Sequence, residues 1–391
     1  MEGDATPFRV KISGAGSIGN HLAHAARRLG WDVTVCDVST TALERMKGSV
    51  YPGRYGAWDP SIKLATVDHA PRGGFDLICI GTPPDVHVRL ALEALDEAPR
   101  AILVEKPLCT PALERADELR LRAAKSSTQV FVGYDHAVGG AARTAEAMIR
   151  TAIVGEVRTI DVEFREHWEG IFRAHPWLTG PEDSYLGYWT RGGGASGEHS
   201  HALNLWQHFA HVVGAGRVAQ VAAMMNYVEQ GRAVYDDVCL MSLRTETGLI
   251  GRVVQDVVTS PPLKRARLHG TEGVVEWVNG YSPEGDAVIC RRTGRDDEVH
   301  VIPKKRPDDF IEELKHIRSH LAVGSEPSAI GLDRGLDSML VVAAAHRSHA
   351  ERRWVEIDYG RGYRVEAIRP VDGHTAMSKG RAVHLDEERR A

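Results

Sequence analysis

The sequence predicts an α/β protein: a doubly wound parallel sheet first, then a second α/β unit with a sheet of its own. Three observations carry this. Short, nearly continuous apolar runs alternate with helical patterns through the first third of the chain, as strands of a parallel sheet covered on both faces do. A G-x-G-x-x-G run stands at the first strand-to-helix turn. From residue 156 onward, most strand-like segments follow one another through turns.

Length and composition agree. At 391 residues the chain has room for about two domains. With 43% hydrophobic and 26% charged residues, a full core can form. A net charge of -5 supplies no basic field to attract nucleic acid or an anionic membrane surface. Cys36, Cys79, Cys109, Cys239 and Cys290 are widely spaced, with no C-x-x-C among them. They read as buried thiols of a reducing compartment. The first residues hold no apolar run long enough for a signal peptide or membrane span, so a cytoplasmic protein is expected.

The first element is "FRVKIS" (8–13), short and alternating like a strand. It runs into "GAGSIGNHLAHAARRLG", where Leu22, Ala25, Ala26 and Leu29 recur at helical spacing up to Gly30. "WDVTVCD" (31–37) is the next strand. Each glycine has a task in dinucleotide binding. Gly14 permits the tight turn, Gly16 lets a pyrophosphate approach the backbone, and Gly19 lets helix and strand pack closely. Ser17 and Ile18 open the helix, whose free N–H groups face the phosphates. Asp37 stands eighteen residues past Gly19, where a carboxylate accepts from the ribose hydroxyls. That charge repels a 2′-phosphate, so NAD is favoured over NADP, although Ser39, Thr40 and Arg45 nearby soften the preference.

Strands at 62–67, 75–84, 100–108 and 129–134 continue the series, with helices over 86–95 and 111–125. Ligands of such sheets bind at the carboxyl ends of the strands. Thr82-Pro83-Pro84, Glu105-Lys106-Pro107 and Tyr134-Asp135-His136 all fall there. Further on, "RGGGASGEHSHALNLWQHF" (191–209) sets three glycines before a run dense in charge and imidazole.

These motifs, in this order, resemble the glucose–fructose oxidoreductase / inositol dehydrogenase / MocA (Gfo/Idh/MocA) family. They are "GAGSIG", "GTPPDVH", "EKP", "GGGASGEHSHALN" and the closing "GLDSMLVVAAAHRSHAERRWVEI" (335–357). The resemblance spans roughly residues 8 to 358. It implies a Rossmann domain, then an α/β domain with a large, mostly antiparallel sheet. It also implies hydride transfer between a nicotinamide and a secondary alcohol or ketone of a sugar, nucleotide sugar or cyclitol. Thr82, Pro83, His87, Glu105 and Lys106 match positions lining the cofactor cleft. Lys106 matches the active-site lysine, with its bond to Pro107 often cis, and His201 matches the family's histidine. Many members carry an Asp four residues before that histidine and another three after it. Gly197 and Asn204 stand there instead, and Glu198 is expected to supply the missing carboxylate.

The chemistry suits the residue types. Oxidising an alcohol requires proton removal, for which imidazole is apt, and stabilisation of the developing oxyanion, for which an ammonium is apt. His199 points about 100° away from His201 on a helix and is expected to pack or cap. His208 and His211 lie two to three turns on and read as structural. No metal is expected, because Glu198/His201 and His208/His211 lie too far apart on one helix to share an ion. The aromatic segment 165–191 suits either a carbohydrate subsite or a packed subunit interface. On the first reading Trp168, Tyr188, His136 and Asn204 contact substrate.

The remaining strands are read at 156–168, 218–228, 236–245, 249–258 and 263–278, with helices at 308–323 and 335–351. The expected units are 1–135 for dinucleotide binding, 136–358 for substrate and assembly as a homodimer or homotetramer, and a charged extension at 359–391. The leading expectation is an NAD-dependent dehydrogenase or reductase. The alternatives are an NAD-retaining glycosidase or epimerase of the same fold, and a non-catalytic NAD-sensing regulator.

Overall fold

The computed structural model describes residues 7–371 except 174, 176 and 324–326. Six short strands form the first sheet: β1 (Arg9–Ser13), β2 (Asp32–Asp37), β3 (Lys63–Thr66), β4 (Leu77–Ile80), β5 (Ala101–Val104) and β6 (Gln129–Val132). Their order is β3-β2-β1-β4-β5-β6, and every pair is parallel. All of β4 and β5 is buried, so these strands are apolar runs rather than alternating ones. The order reverses between β1 and β4, which opens a crevice at the carboxyl ends of the strands.

Helix α1 (Ser17–Arg28) leaves the glycine turn without a side-chain cap and without an acidic residue in its first turn. Its N-terminal N–H groups stay available to an anion, while Arg27 and Arg28 suit the opposite end of its dipole. Helix α2 (His87–Asp96) follows β4, and α3 (Ala116–Ala123) precedes β6. Helix α4 (Gly140–Arg150) leads into the second sheet.

That sheet has ten strands in the order β14-β13-β12-β11-β7-β10-β9-β8-β15-β16. They are β7 (Val157–Arg165), β8 (Val218–Gln230), β9 (Ala233–Thr245), β10 (Ile250–Asp256), β11 (Leu263–Gly270), β12 (Gly273–Ser282), β13 (Gly285–Arg292), β14 (Glu298–Pro303), β15 (Val355–Ile357) and β16 (Ile368–Pro370). Pairing is antiparallel throughout except between β7 and β10. The segment 263–278, read from the sequence as one strand, is the hairpin β11–β12. Residues Val299 and Val301 of β14 are exposed, which blurs the strand signal along that edge.

Two short helices, α5 (Gly194–Glu198) and α6 (Ser200–Val212), carry the His-rich run. Trp206 of α6 is fully buried and donates Nε1–H to the Ile160 carbonyl of β7 at 2.8 Å. The opposing residue of β10 is Gly251, where a Cβ would come within 2.9 Å of that nitrogen.

The last two helices, α7 (Asp308–Val323) and α8 (Leu332–Glu351), tie the sheets together. Gly335 of α8 lies flat against Val132 of β6, where any Cβ would overlap the valine. Just before it, Val132 N–H donates to the Ile330 carbonyl at 2.8 Å. The C-terminal chain thus covers the open edge of the first sheet. Phe310 of α7 stacks on His21 of α1 at 4.9 Å. The large sheet extends past residue 358, because β16 pairs with β15 and Tyr359 donates its hydroxyl to the Val218 carbonyl at 2.9 Å. Most of the charged extension, 372–391, lies outside the described residues. The five cysteines are free and buried.

Candidate active site

The glycine turn is shaped by close contacts. Gly14 has φ +104°, and a Cβ there would stand 2.6 Å from the Gly81 carbonyl oxygen. A Cβ on Gly19 would overlap the Gly14 oxygen, so α1 reaches the turn only because both are glycine. Gly16 faces open space, the room a pyrophosphate needs. Asp37 ends β2 with Oδ2 accepting from Ala15 N–H and Oδ1 from Ser39 N–H, both at 2.8 Å. The carboxylate is therefore fixed beside the turn. These features fit the dinucleotide, with Ser17 and Ile18 opening the helix that receives its phosphates. Arg54 carries no sequence motif, yet its guanidinium donates to Ser17 Oγ at 2.8 Å and to the Ser17 carbonyl at 3.0 Å.

The next three motifs meet physically. The His87 ring lies between the Thr82 carbonyl (Nε2, 2.6 Å) and the Pro107 carbonyl (Nδ1, 2.9 Å), linking the ends of β4 and β5. Pro83 follows Thr82 at the same end. The Lys106–Pro107 bond is cis. Gly192 has φ +88° and fits against both loops; a Cβ there would be 2.9 Å from Pro84 Cβ and 3.3 Å from Pro107 Cγ. Beneath it, Ser196 donates N–H and Oγ–H to Asp236 at 2.7 and 3.0 Å. Burial pushes the Asp236 carboxyl up to about 7, with those bonds pulling against it.

Lys106 Nζ donates to the Glu198 carbonyl at 2.9 Å and lies 3.1 Å from Glu198 Oε1. The ammonium is thereby seated at the C-terminal end of α5, by a charge and a dipole at once. Glu198 and His201 do not share one helix. The chain breaks at His199, which is buried and whose carbonyl accepts from Gln255 Nε2. Glu198 therefore faces Lys106, and the carboxylate beside His201 comes from elsewhere: Asp135 Oδ1 lies 3.6 Å from His201 Nδ1.

Burial holds His201 well below the ordinary imidazole range, assisted by His136, Lys106, Lys264 and His199. It is a neutral base at neutral pH. Glu105 is buried, and its carboxyl is raised by burial and by Asp135, against the pull of Lys106. The His136 ring packs 4.8 Å from that of His201, with Phe164 and Trp277 on its other sides at 5.4 and 5.6 Å. Among the described residues, Asp135, His136 and His201 form one group whose ligand-type atoms lie within 4.8 Å of one another. The chain segments that carry them are distant in sequence, so spacing alone does not assemble this group.

Asn204 is buried on α6 with Oδ1 unpartnered. Trp168 packs in a small second core with Leu186, Ala195 and Val257, its ring 4.6 Å from Tyr235. Tyr188 donates its hydroxyl to the Glu182 carbonyl at 3.2 Å. His208 Nε2 lies 3.4 Å from Glu146, consistent with a structural role.

A dinucleotide turn, a lysine at the end of β5 and a neutral histidine on α6 together define a nicotinamide-dependent oxidoreductase. Comparison makes this specific. Residues 8–134 match the Gfo/Idh/MocA oxidoreductase family with its NAD-binding Rossmann fold, and 142–276 match the Gfo/Idh/MocA C-terminal domain. The chain belongs to this family and is an NAD-binding oxidoreductase. No curated protein matches its sequence.

Solved structures share the fold. An oxidoreductase from Agrobacterium radiobacter, in complex with NAD+, L-tartaric acid and magnesium, is 19% identical with a TM-score of 0.71, over 90% of this chain and 98% of that one. Levoglucosan dehydrogenase with NADH and L-sorbose is 17% identical with a TM-score of 0.71, over 89% and 98%. The aldose–aldose oxidoreductase of Caulobacter crescentus, complexed with glycerol, is 19% identical with a TM-score of 0.69, over 90% and 100%. No described helix is long and apolar enough to cross a membrane.

Proposed function

We propose that the protein transfers hydride between NAD(H) and a secondary alcohol or ketone of a sugar, nucleotide sugar or cyclitol. The observation that carries this reading is that Lys106 stands at the end of β5 while a neutral, largely enclosed His201 of α6 faces Asp135 just past the end of β6, both at the edge of the dinucleotide crevice. The dinucleotide, when bound, supplies the hydride acceptor. His201 takes the hydroxyl proton as the carbon–hydrogen bond breaks, and the Lys106 ammonium stabilises the negative charge growing on the oxygen. Glu198 holds Lys106 in place, and Asn204 and His136 line the substrate side of His201. The sugar and polyol ligands of the neighbours, L-sorbose and glycerol, support the substrate class.

NAD is the preferred coenzyme because Asp37 is held as a fixed negative charge at the ribose position. The protein assembles through the outer face of the large sheet, where Met224 and Leu240 are cross-strand partners and stay 70% and 38% exposed. Its five buried free thiols suit the cytoplasm.

The test is absorbance at 340 nm with NAD or NADP against aldoses, cyclitols and nucleotide sugars. Turnover with at least one of these is expected, with loss of about 10²-fold or more in kcat for Lys106→Ala and for His201→Ala. Full turnover by both variants would remove the catalytic assignment. Product formed on tightly held NAD with no net absorbance change would point to an NAD-retaining reaction instead.

A further inference from the structure

We propose that Asp135, reaching across from the first sheet, is the positioning carboxylate of His201: it accepts Nδ1–H and leaves Nε2 unprotonated toward the substrate. This rests on the reading of His201 as the base.

The stretch that carries His201 cannot supply such a group. Gly197 has no room for a side chain, since a Cβ there would overlap the Gly192 carbonyl oxygen. Glu198 is committed to Lys106 through both its carboxylate and its carbonyl. Asn204 is an amide. Asp135, just past the end of β6, is different. Its Oδ1 faces His201 Nδ1 at 3.6 Å, and both atoms are buried with no other partner. A buried polar atom without a partner is costly, and two that face each other are satisfied together by a small closure. The 3.6 Å gap exceeds a hydrogen bond, but catalytic contacts often tighten only once ligand is bound.

The chemical consequence concerns the tautomer. A neutral imidazole carries one proton. If it sits on Nδ1, Nε2 offers a lone pair to the alcohol; if it sits on Nε2, the base is blocked. A carboxylate at Nδ1 selects the first form and then stabilises the imidazolium once the proton arrives. That imidazolium would otherwise be buried among like charges, for Lys106, Lys264, His136 and His199 all oppose a positive His201. The balance is simple: the hydroxyl proton moves to Nε2, the Nδ1 proton stays shared with Asp135, and no further reactant is needed.

The same three residues that approach within 4.8 Å could be asked to hold a divalent cation. The cations around them argue against it, because Lys106 and Lys264 act on His201 while Lys304 and Arg306 act on Asp135. The pairing also crosses between domains. Asp135 lies in the turn just past β6 of the dinucleotide sheet and His201 on α6, so base competence depends on their docking.

Three measurements test it. Nitrogen-15 histidine NMR of the wild-type protein should show His201 as the Nδ1–H tautomer. In Asp135→Asn, kcat should fall about 10²-fold with KM for NAD within about threefold. The acidic limb of its kcat–pH profile should move to lower pH, because the charge that favours imidazolium is gone. An Nε2–H tautomer in the wild type would overturn the proposal without any variant. Unchanged kcat and an unchanged limb in Asp135→Asn, with His201→Ala inactive, would overturn it too. Full activity of His201→Ala would sink the underlying reading as well. Activity lost to a chelator and restored by zinc would replace the dyad with a metal site.

Discussion

Asp37 shows what a single residue encodes. Its position after the second strand is legible in the sequence because the motif is contiguous and its spacing is set by one βαβ unit. The structure adds that both oxygens are held by backbone N–H groups, at Ala15 and Ser39. Coenzyme choice should follow from that fixed charge. Replacing Asp37 by Ala should lower the ratio of kcat/KM for NAD over NADP by about ten- to a hundredfold, read from steady-state rates with each coenzyme. An unchanged ratio would place discrimination elsewhere, Arg54 being the first group to examine. Lys106 and the three glycines are legible for the same local reason. The partner of His201 is not. Asp135 reaches it only because the turn at 135–138, just past β6, packs against α6, a contact no local pattern announces. Glu198 likewise reads as a neighbour of His201 on one helix, until the break at His199 turns it to Lys106.

At the scale of elements, the turn at Gly192 and the short helix α5 that follows it hold the site together. They touch Pro84 and Pro107, bond to Asp236 through Ser196, and end in the seat of Lys106. Three glycines in a row suggest freedom, but the structure shows crowding. Gly197→Ala forces a methyl onto the Gly192 carbonyl and should pull the loop off both prolines. The expected result is loss of kcat, with stability lowered by about 1–3 kcal/mol. Dinucleotide affinity should be nearly kept. Kinetics, calorimetric binding and thermal melting separate these; wild-type kcat would show that the loop tolerates displacement. The parallel sheet is fully legible because its buried strands are strong apolar runs. The far edge of the second sheet is less so: β13 and β14 do not stand out, and the β11–β12 hairpin reads as one strand because its turn is only two residues long, Thr271 and Glu272.

Across the whole molecule, α8 covers β6 and α7 meets α1, so the sheets share a core and should unfold together. Buried carboxyls then set part of the pH dependence. Burial raises Asp236 to about 7 and Asp337 to about 6. A carboxyl raised in the fold contributes stability that is complete below the ordinary carboxylate range and is lost as pH rises through these values. His21, His136 and His346 are lowered to about 3, chiefly by desolvation. Their effect runs the other way, with stability lost as pH falls from about 6.5 towards 3. Asp236 therefore contributes a fall in stability as pH rises from the ordinary carboxylate range to about 7, set against the opposite slope of the histidines. The stability advantage of the wild type over Asp236→Asn should therefore shrink as pH rises towards 7, read from melting temperatures, and a difference constant over that range would show that Asp236 does not titrate with folding.

The central claim is hydride transfer from a sugar-like carbinol to NAD, and isotopic labelling tests it most directly. A turned-over substrate is prepared with deuterium at the reacting carbon, and the reduced coenzyme is analysed by mass and proton NMR. The account predicts one deuterium delivered to a single face of the nicotinamide. Unlabelled NADH with the deuterium in solvent, or labelled product formed with no reduced coenzyme released, would contradict it.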